Sequence, residues 1–489
     1  MAKINVRPHL ANATTHEGGK GYVGDAAMQL RRVLSTCMLF EDTFYESGDA
    51  IAKRLVDLAA AVDRDVLFAE TRRAKNELHL RQPPLWMVVQ ACALHKGAPV
   101  GNLVYDMLVR ADEPAELVTL YWLDLDATIA AKARDITADP VLRKKPLSKQ
   151  LKRGLAAAFT KWDEYQLAKY NRPGLVTMRD VVFLTHASGR VSGDAASTLP
   201  INKGKYRRGN TLRHPNALLG KLVEGTLATP DTWEVAISAA QTPQEKSDEW
   251  TRLVRDKRLG SLALLRNLRN ITRAGVDSRL VIDAINAAQF SKILPFQFVA
   301  AWRNAPQYAR EIEDAMLRSL SGFEALPGRT ILLVDVSGSM VDRLSRKSDM
   351  TRTDAAAVTA VGYAAVCQHC EIYTFSNSVV AVPATRGFGL VDSIARSQSH
   401  GGTYLARALT QLKPHIASAD RLIVITDEQA HPGAMPDLGS IRRKYMVNVA
   451  PYHVGVAADH SWTSISGFSL SLIPWMIQEE KDNLFTAND

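Results

Sequence analysis

The chain changes its periodicity at Gly328. Before that point apolar residues recur at three- and four-residue spacing, as in AIAKRLVDLAAAV (50–62), LWMVVQACAL (85–94), GNLVYDMLVR (101–110) and PAELVTLYWLDL (114–125). That spacing puts the apolar side chains on one face of a helix. Short polar or Gly/Pro breaks separate the segments, and their lengths match the helix pairs of a solenoid, although no sequence period is clean. After Gly328 short apolar runs (ILLVDV, EIYTF, RLIVIT) alternate with amphipathic stretches such as TDAAAVTAVGYAAVCQH (353–369) and TYLARALTQL (403–412). Alternating strands and helices predict a parallel sheet covered on both faces. The boundary falls at GFEALPGR, near 322–329, and divides a helical part, 1–325, from an α/β part, 326–489.

Charge follows the same division. Residues 328–489 carry 14 Lys/Arg against 15 Asp/Glu, whereas 141–225 alone carries 17 against 5. The surplus of the whole chain, +9, is therefore concentrated in one stretch of the helical part. A basic stretch this local is an electrostatic footprint for a polyanion, with a solvated basic face as the competing reading. Within it, residues 188–215 are rich in Gly, Ser and basic residues and read as a long loop. Lys203, Lys205, Arg207, Arg208 and Arg213, with Tyr206, could there track a phosphate backbone and stack on a base.

The four cysteines suit a reducing compartment. Cys367 and Cys370 form a CxxC, but no second pair or histidine stands at zinc spacing, so they read as unreactive thiols at a helix end. The N-terminus has no apolar core and no cleavage motif, and no apolar run approaches the roughly 18 residues of a membrane span. The expectation is a cytoplasmic protein with no membrane partner.

Ligands of an open α/β sheet bind beyond the carboxyl ends of its strands. ILLVDVSGSM places Asp335, Ser337 and Ser339 there, RLIVITDEQ places Asp427 at the end of a second strand, and GGTYL places Thr403 at the start of a helix. Two carboxylates with hydroxyl oxygens suit a hard cation that keeps several waters, which means Mg²⁺. Asp335-Val-Ser337-Gly-Ser339, then Thr403, then Asp427 resembles the metal-ion-dependent adhesion site of von Willebrand A domains, in order and on the expected elements. The resemblance implies an ion at the surface end of the sheet that takes a carboxylate from a partner protein.

The helical part resembles the TROVE module of the Ro ribonucleoprotein autoantigen family, in its bacterial form. The matching stretches are HEGGKGY (16–22), LRRVLSTCMLFEDTFYESG (30–48), KYNRPGLVTMRDVVFLTHASG (169–189), LGSLALLRNLRNIT (259–272), ILPFQFVAAWR (293–303) and GFSLSLIPW (467–475). This resemblance implies a ring of HEAT-like antiparallel helical repeats closed by the A domain. It further implies a non-catalytic protein that binds small noncoding Y RNAs on its outer face and single-stranded 3′ ends of misfolded RNA in a central hole. An exoribonuclease partner and a role in RNA quality control come with it. Residue by residue, Lys169, Arg172, Arg179 and His186 take the places of the family's RNA-contacting residues, Arg172 with an offset of about two positions. Without the resemblance His186 reads as a helix-end histidine making a capping contact.

Three function classes remain to be weighed. A ribonucleoprotein scaffold accounts for the basic stretch. A metal-dependent protein-docking scaffold accounts for the A-type motif and needs no basic stretch. An enzyme has little support: the chain has no P-loop, no GxSxG, no HExxH and no second carboxylate cluster.

Overall fold

The computed structural model describes residues 11–486, except 136, 188–215, 291–292, 321, 345–347, 384, 440, 442, 460 and 468–471. The 188–215 stretch and its six candidate RNA contacts therefore lie outside the described residues. By compactness the chain forms two units, one built from residues 1–51 and 236–489 and the other from 52–235. These units cut across the 1–325 and 326–489 division. That division follows the change of secondary structure, whereas compactness places both flanks of the helical part in the same unit as the α/β part.

In the second unit the segments expected over 85–94, 101–110 and 114–125 are helices Gln82–Leu94, Ala98–Met107 and Glu113–Trp122, and Arg64–Asn76, Leu125–Lys132, Lys149–Ala158, Glu164–Tyr170, Met178–Thr185 and Ala217–Glu224 are helices as well. Their starts are written locally. Asp163 with Gln166 and Thr177 with Asp180 form capping boxes, each satisfying two orphan amides at a helix start. Helices Ala98–Met107 and Lys149–Ala158 cross closely at Gly154, where a Cβ would stand 2.4 Å from the Val104 side chain and 2.7 Å from the Gly101 carbonyl oxygen. Beyond that crossing the Lys161 ammonium donates to the Tyr105 and Leu108 carbonyls and the Trp162 indole donates to the Val109 carbonyl. Free carbonyls at one helix end thus anchor the start of the next pair.

The first unit holds two sheets. Strands β1 (Ala13–Thr14) and β2 (Lys20–Tyr22) pair antiparallel with each other, and β2 pairs with β8 (Gly455–Val456). The larger sheet contains β3 (Leu326–Asp335), β4 (Cys367–Phe375), β5 (Val379–Ala381), β6 (Arg421–Thr426), β7 (Arg443–Asn448) and β9 (Trp462–Ser466), in the order β5-β4-β3-β6-β7-β9. All neighbours are parallel except the β5 edge, which returns antiparallel on β4. The central strands β3 and β6 are apolar on both faces and buried throughout their inner residues, as a sheet covered by helices requires. The register Val334↔Ile425 brings the carboxyl ends of β3 and β6 side by side.

Two further segments bind this sheet's helices and loops within the same unit. Helix Ala26–Thr36 supplies Arg32, whose guanidinium pairs with the buried Glu428 at 3.3 Å. Helix Pro295–Asn304 supplies Arg303, which grips Asp354 with two hydrogen bonds of 2.8 and 2.6 Å, and Trp302, stacked on Phe388 at 4.6 Å. Among the described residues no helix is long and apolar enough to cross a membrane.

Candidate metal centre and nucleic-acid interface

The β3 and β6 ends converge on the residues singled out by the motif. Asp335 accepts from the Ser337 amide at 2.9 Å and from the Thr426 hydroxyl at 2.5 Å. Asp427 accepts from the Gln429 amide with one oxygen, 3.0 Å, while its other oxygen is buried and has no hydrogen-bond partner. The hydroxyls of Ser337 and Ser339 are likewise buried and unpartnered. Thr403 is brought in by the loop between helix Gly387–Ala395 and helix Leu405–Ile416. Gly338 donates to the Gly401 carbonyl at 2.8 Å, Gly401 donates to the Ser376 hydroxyl at 2.8 Å, and the Thr403 amide donates to His431 Nδ1 at 3.2 Å.

The structure therefore gathers all five residues at the ends of adjacent strands and leaves three oxygens of the set without donors. A buried oxygen with no partner costs free energy of about 1–3 kcal/mol, so three together ask for a ligand that accepts lone pairs. A hard cation does so, and this donor set fits Mg²⁺. Among the described residues no cluster of three His, Cys, Asp or Glu is formed; the donors are two carboxylates and hydroxyls, a set suited to a partly hydrated ion. Burial and the neighbouring Asp427 push the Asp335 carboxyl up to about 7. Burial likewise raises Asp427, against the opposing pull of the nearby Ser339 hydroxyl, the Gln429 amide and the buried Arg352. The position differs from the sequence expectation in one respect. The five residues were expected at a surface end of the sheet, yet none is more than 3% exposed.

The four residues named for RNA lie in the second unit. Lys169, at the end of helix Glu164–Tyr170, stands over the rings of Tyr165 and Tyr170 at 5.9 and 5.6 Å. Arg179, in the first turn of helix Met178–Thr185, is exposed and stands over Phe183 at 5.7 Å. Arg172 is exposed and pairs with Glu234 at 3.3 Å. His186 caps the helix in the left-handed conformation, φ 55°, and its residue is exposed. The structure thus supports both the capping reading of His186 and its access to solvent.

Family models settle what kind of chain this is. The TROVE domain model matches residues 220–380 and the Ro60 vWA domain model matches residues 329–448. The chain carries a TROVE domain and a Ro60-type vWA domain. The fold of this TROVE protein is similar to the crystal structure of the Deinococcus radiodurans Ro (RSR) protein, with a TM-score of 0.56 over 92% of this chain and 98% of that one, at 17% identity. At that identity the likeness is one of fold. Comparison with curated protein sequences finds no match.

Several residues of the two candidate sites escape sequence reasoning. Beside Lys169, Arg110 stands over Tyr170 at 4.7 Å from another helix pair, and Tyr165 is 44% exposed. Beside the candidate metal centre His431 accepts from the Thr403 amide and meets Glu17, which also accepts from the Tyr45 hydroxyl. HEGGKGY was noted as part of the family pattern, but nothing in its spacing places it at a strand end hundreds of residues away.

Proposed function

We propose that this protein is a non-catalytic RNA binder of the Ro type. Its substrate class is small noncoding, Y-like RNA on the face of the second unit that carries Lys169, Arg172, Arg179 and His186, together with single-stranded 3′ ends of misfolded RNA. Its setting is RNA quality control with a nuclease partner in the cytoplasm. The observation that carries the reading is the run of cation–aromatic pairs along that face: Arg110 and Lys169 on Tyr170, Lys169 on Tyr165, and Arg179 on Phe183. Cations attract phosphates, and an exposed aromatic ring offers a base a stacking surface. The Arg172–Glu234 pair is exposed and worth roughly 0.2–1 kcal/mol, so a phosphate can take Glu234's place.

A salt series of filter-binding measurements tests this. Affinity for a structured RNA should fall steeply with salt, because each neutralised phosphate releases counterions. The Lys169/Arg172/Arg179→Ala variant should bind more weakly, with a slope flattened by about one phosphate contact for each charge removed. Equal affinity and equal slope in the variant would remove this face from the reading.

A second reading concerns the A-type domain: metal-dependent docking of a carboxylate-bearing protein through Mg²⁺ held by Asp335, Ser337, Ser339, Thr403 and Asp427. Its support is the three unpartnered oxygens at the strand ends. Asp335→Ala should abolish Mg²⁺ binding by titration calorimetry while leaving RNA affinity near the parent value.

A further inference from the structure

The amino-terminal segment is bonded to the loop that follows Asp427. The Thr15 hydroxyl and the Gly19 amide both donate to the Ala430 carbonyl, at 2.6 and 3.1 Å, and the His16 amide donates to the Gln429 side-chain oxygen at 3.0 Å. These bonds run along the residues that directly follow Asp427. Gly19 permits the approach: a Cβ there would stand 2.3 Å from the Ala430 carbonyl oxygen.

The segment held in this way presents Glu17. One carboxylate oxygen accepts from the Tyr45 hydroxyl, and the other lies 3.2 Å from His431 Nε2. His431 Nδ1 accepts from the Thr403 amide, so the neutral ring carries its proton on Nε2 and donates it to Glu17. Tyr45 is itself fixed, stacked on His16 at 4.5 Å and edge-on to the buried Tyr452 at 5.3 Å. Its phenol is pushed well above its ordinary range, by burial first and then by Glu17 and Asp427, with the Ser339 hydroxyl acting the other way. Glu17 is thus tethered on one side to a tyrosine that senses Asp427 and Ser339, and on the other to the histidine that holds Thr403.

Glu17 is joined to Asp427 through Tyr45 and to Thr403 through His431, and Asp335 and Asp427 stand together, buried, at the strand ends. Like charges brought together out of water repel, and a divalent cation among them removes that cost. We propose that Glu17 is the carboxylate that closes the metal centre from within the same chain, so that an acidic partner reaches the ion only by displacing it. The proposal rests on the metal reading above and adds to it the occupant of the site's outer side.

The test is Mg²⁺ titration calorimetry on the full chain, with and without acetate at matched ionic strength. The parent should bind Mg²⁺ with an affinity that acetate leaves unchanged, because its carboxylate is already in place. Glu17→Gln should lose on the order of tenfold or more in Mg²⁺ affinity, and acetate should restore a large part of the loss. Unchanged affinity in Glu17→Gln, or a loss that acetate does not repair, overturns the proposal, since a merely structural role has no use for acetate. Tyr45→Phe keeps the ring packing and releases one tether, so acetate should strengthen its Mg²⁺ binding; this variant carries the test if Glu17→Gln does not fold. Asp335→Ala separates the two levels. If the parent takes up no Mg²⁺, or Asp335→Ala binds it as the parent does, the metal reading itself fails and Glu17 falls with it. If Asp335→Ala loses binding and Glu17→Gln does not, Glu17 alone is wrong.

Discussion

Asp335 is a carboxyl group that the metal-free fold prefers to keep neutral. Burial and Asp427 hold it up to about 7, well above the ordinary carboxylate range. The metal-free native state therefore retains a proton that the unfolded chain releases near pH 4, and its stability falls as the pH rises through the window between the two values. A divalent ion must displace the same proton. Mg²⁺ affinity should accordingly rise with pH up to about 7 and then level off. Calorimetry at pH 6 in buffers of different ionisation enthalpy should show proton release on binding; its absence would place the titrating group elsewhere. The same ion should raise the melting temperature, by an amount equivalent to about 2.7 kcal/mol at a hundredfold excess over Kd, and Asp335→Ala should not respond. The CxxC pair differs from its sequence reading in a comparable way. The Cys370 thiol, by hydrogen bonding, pulls the Cys367 thiol below its ordinary value, while burial pushes Cys92 up to about 12. Limited alkylation at pH 8 followed by mass spectrometry should label Cys367 well before Cys92.

Elements were legible in the sequence wherever a period could be read. RLIVIT is strand β6 to the residue, and the helices expected over 85–94 and 114–125 are present, the first starting at Gln82 and the second ending at Trp122. The helix expected to run to His369 ends at Val366, because Cys367 already pairs with Leu326 in the sheet and the strand claims it. The short edge strand β5 carries no period long enough to detect. At the metal centre the five motif residues were legible because they share two strand ends and one turn. Glu17 and Tyr45 were not, because no local rule links them to that sheet. For the basic face, the charges were visible and their aromatic partners were not: Arg110 meets Tyr170 only through the packing of separate helix pairs. That packing depends on the crossing at Gly154. Gly154→Leu should overpack it against Val104 and destabilise the second unit by about 1–3 kcal/mol or more. Urea unfolding measures this, and an unchanged midpoint would mean that the two helices can part without cost.

At the scale of the whole molecule the Arg32–Glu428 pair links the amino-terminal segment to the residue after Asp427. Glu428 is fully buried, takes a left-handed φ of 64° and also accepts from the Val456 amide at 3.0 Å. Such a backbone position persists only when its surroundings fix it. Arg32→Met would leave that carboxylate buried without its cation, a change that costs about 3–5 kcal/mol. A lowered melting temperature of the first unit is expected, and no change in thermal unfolding would show the pair to be dispensable. The same architecture has a temporal consequence. Thr15 is synthesised long before Ala430, to which it is bonded across a separation of 415 residues. At about 5–20 residues per second, roughly 20–80 s of synthesis separate the two halves of that bond. During that interval β2 has β1 beside it but not β8, its other neighbour. Translation speed and chaperone access thus act on a segment whose partners, Gln429 and Ala430, are made much later.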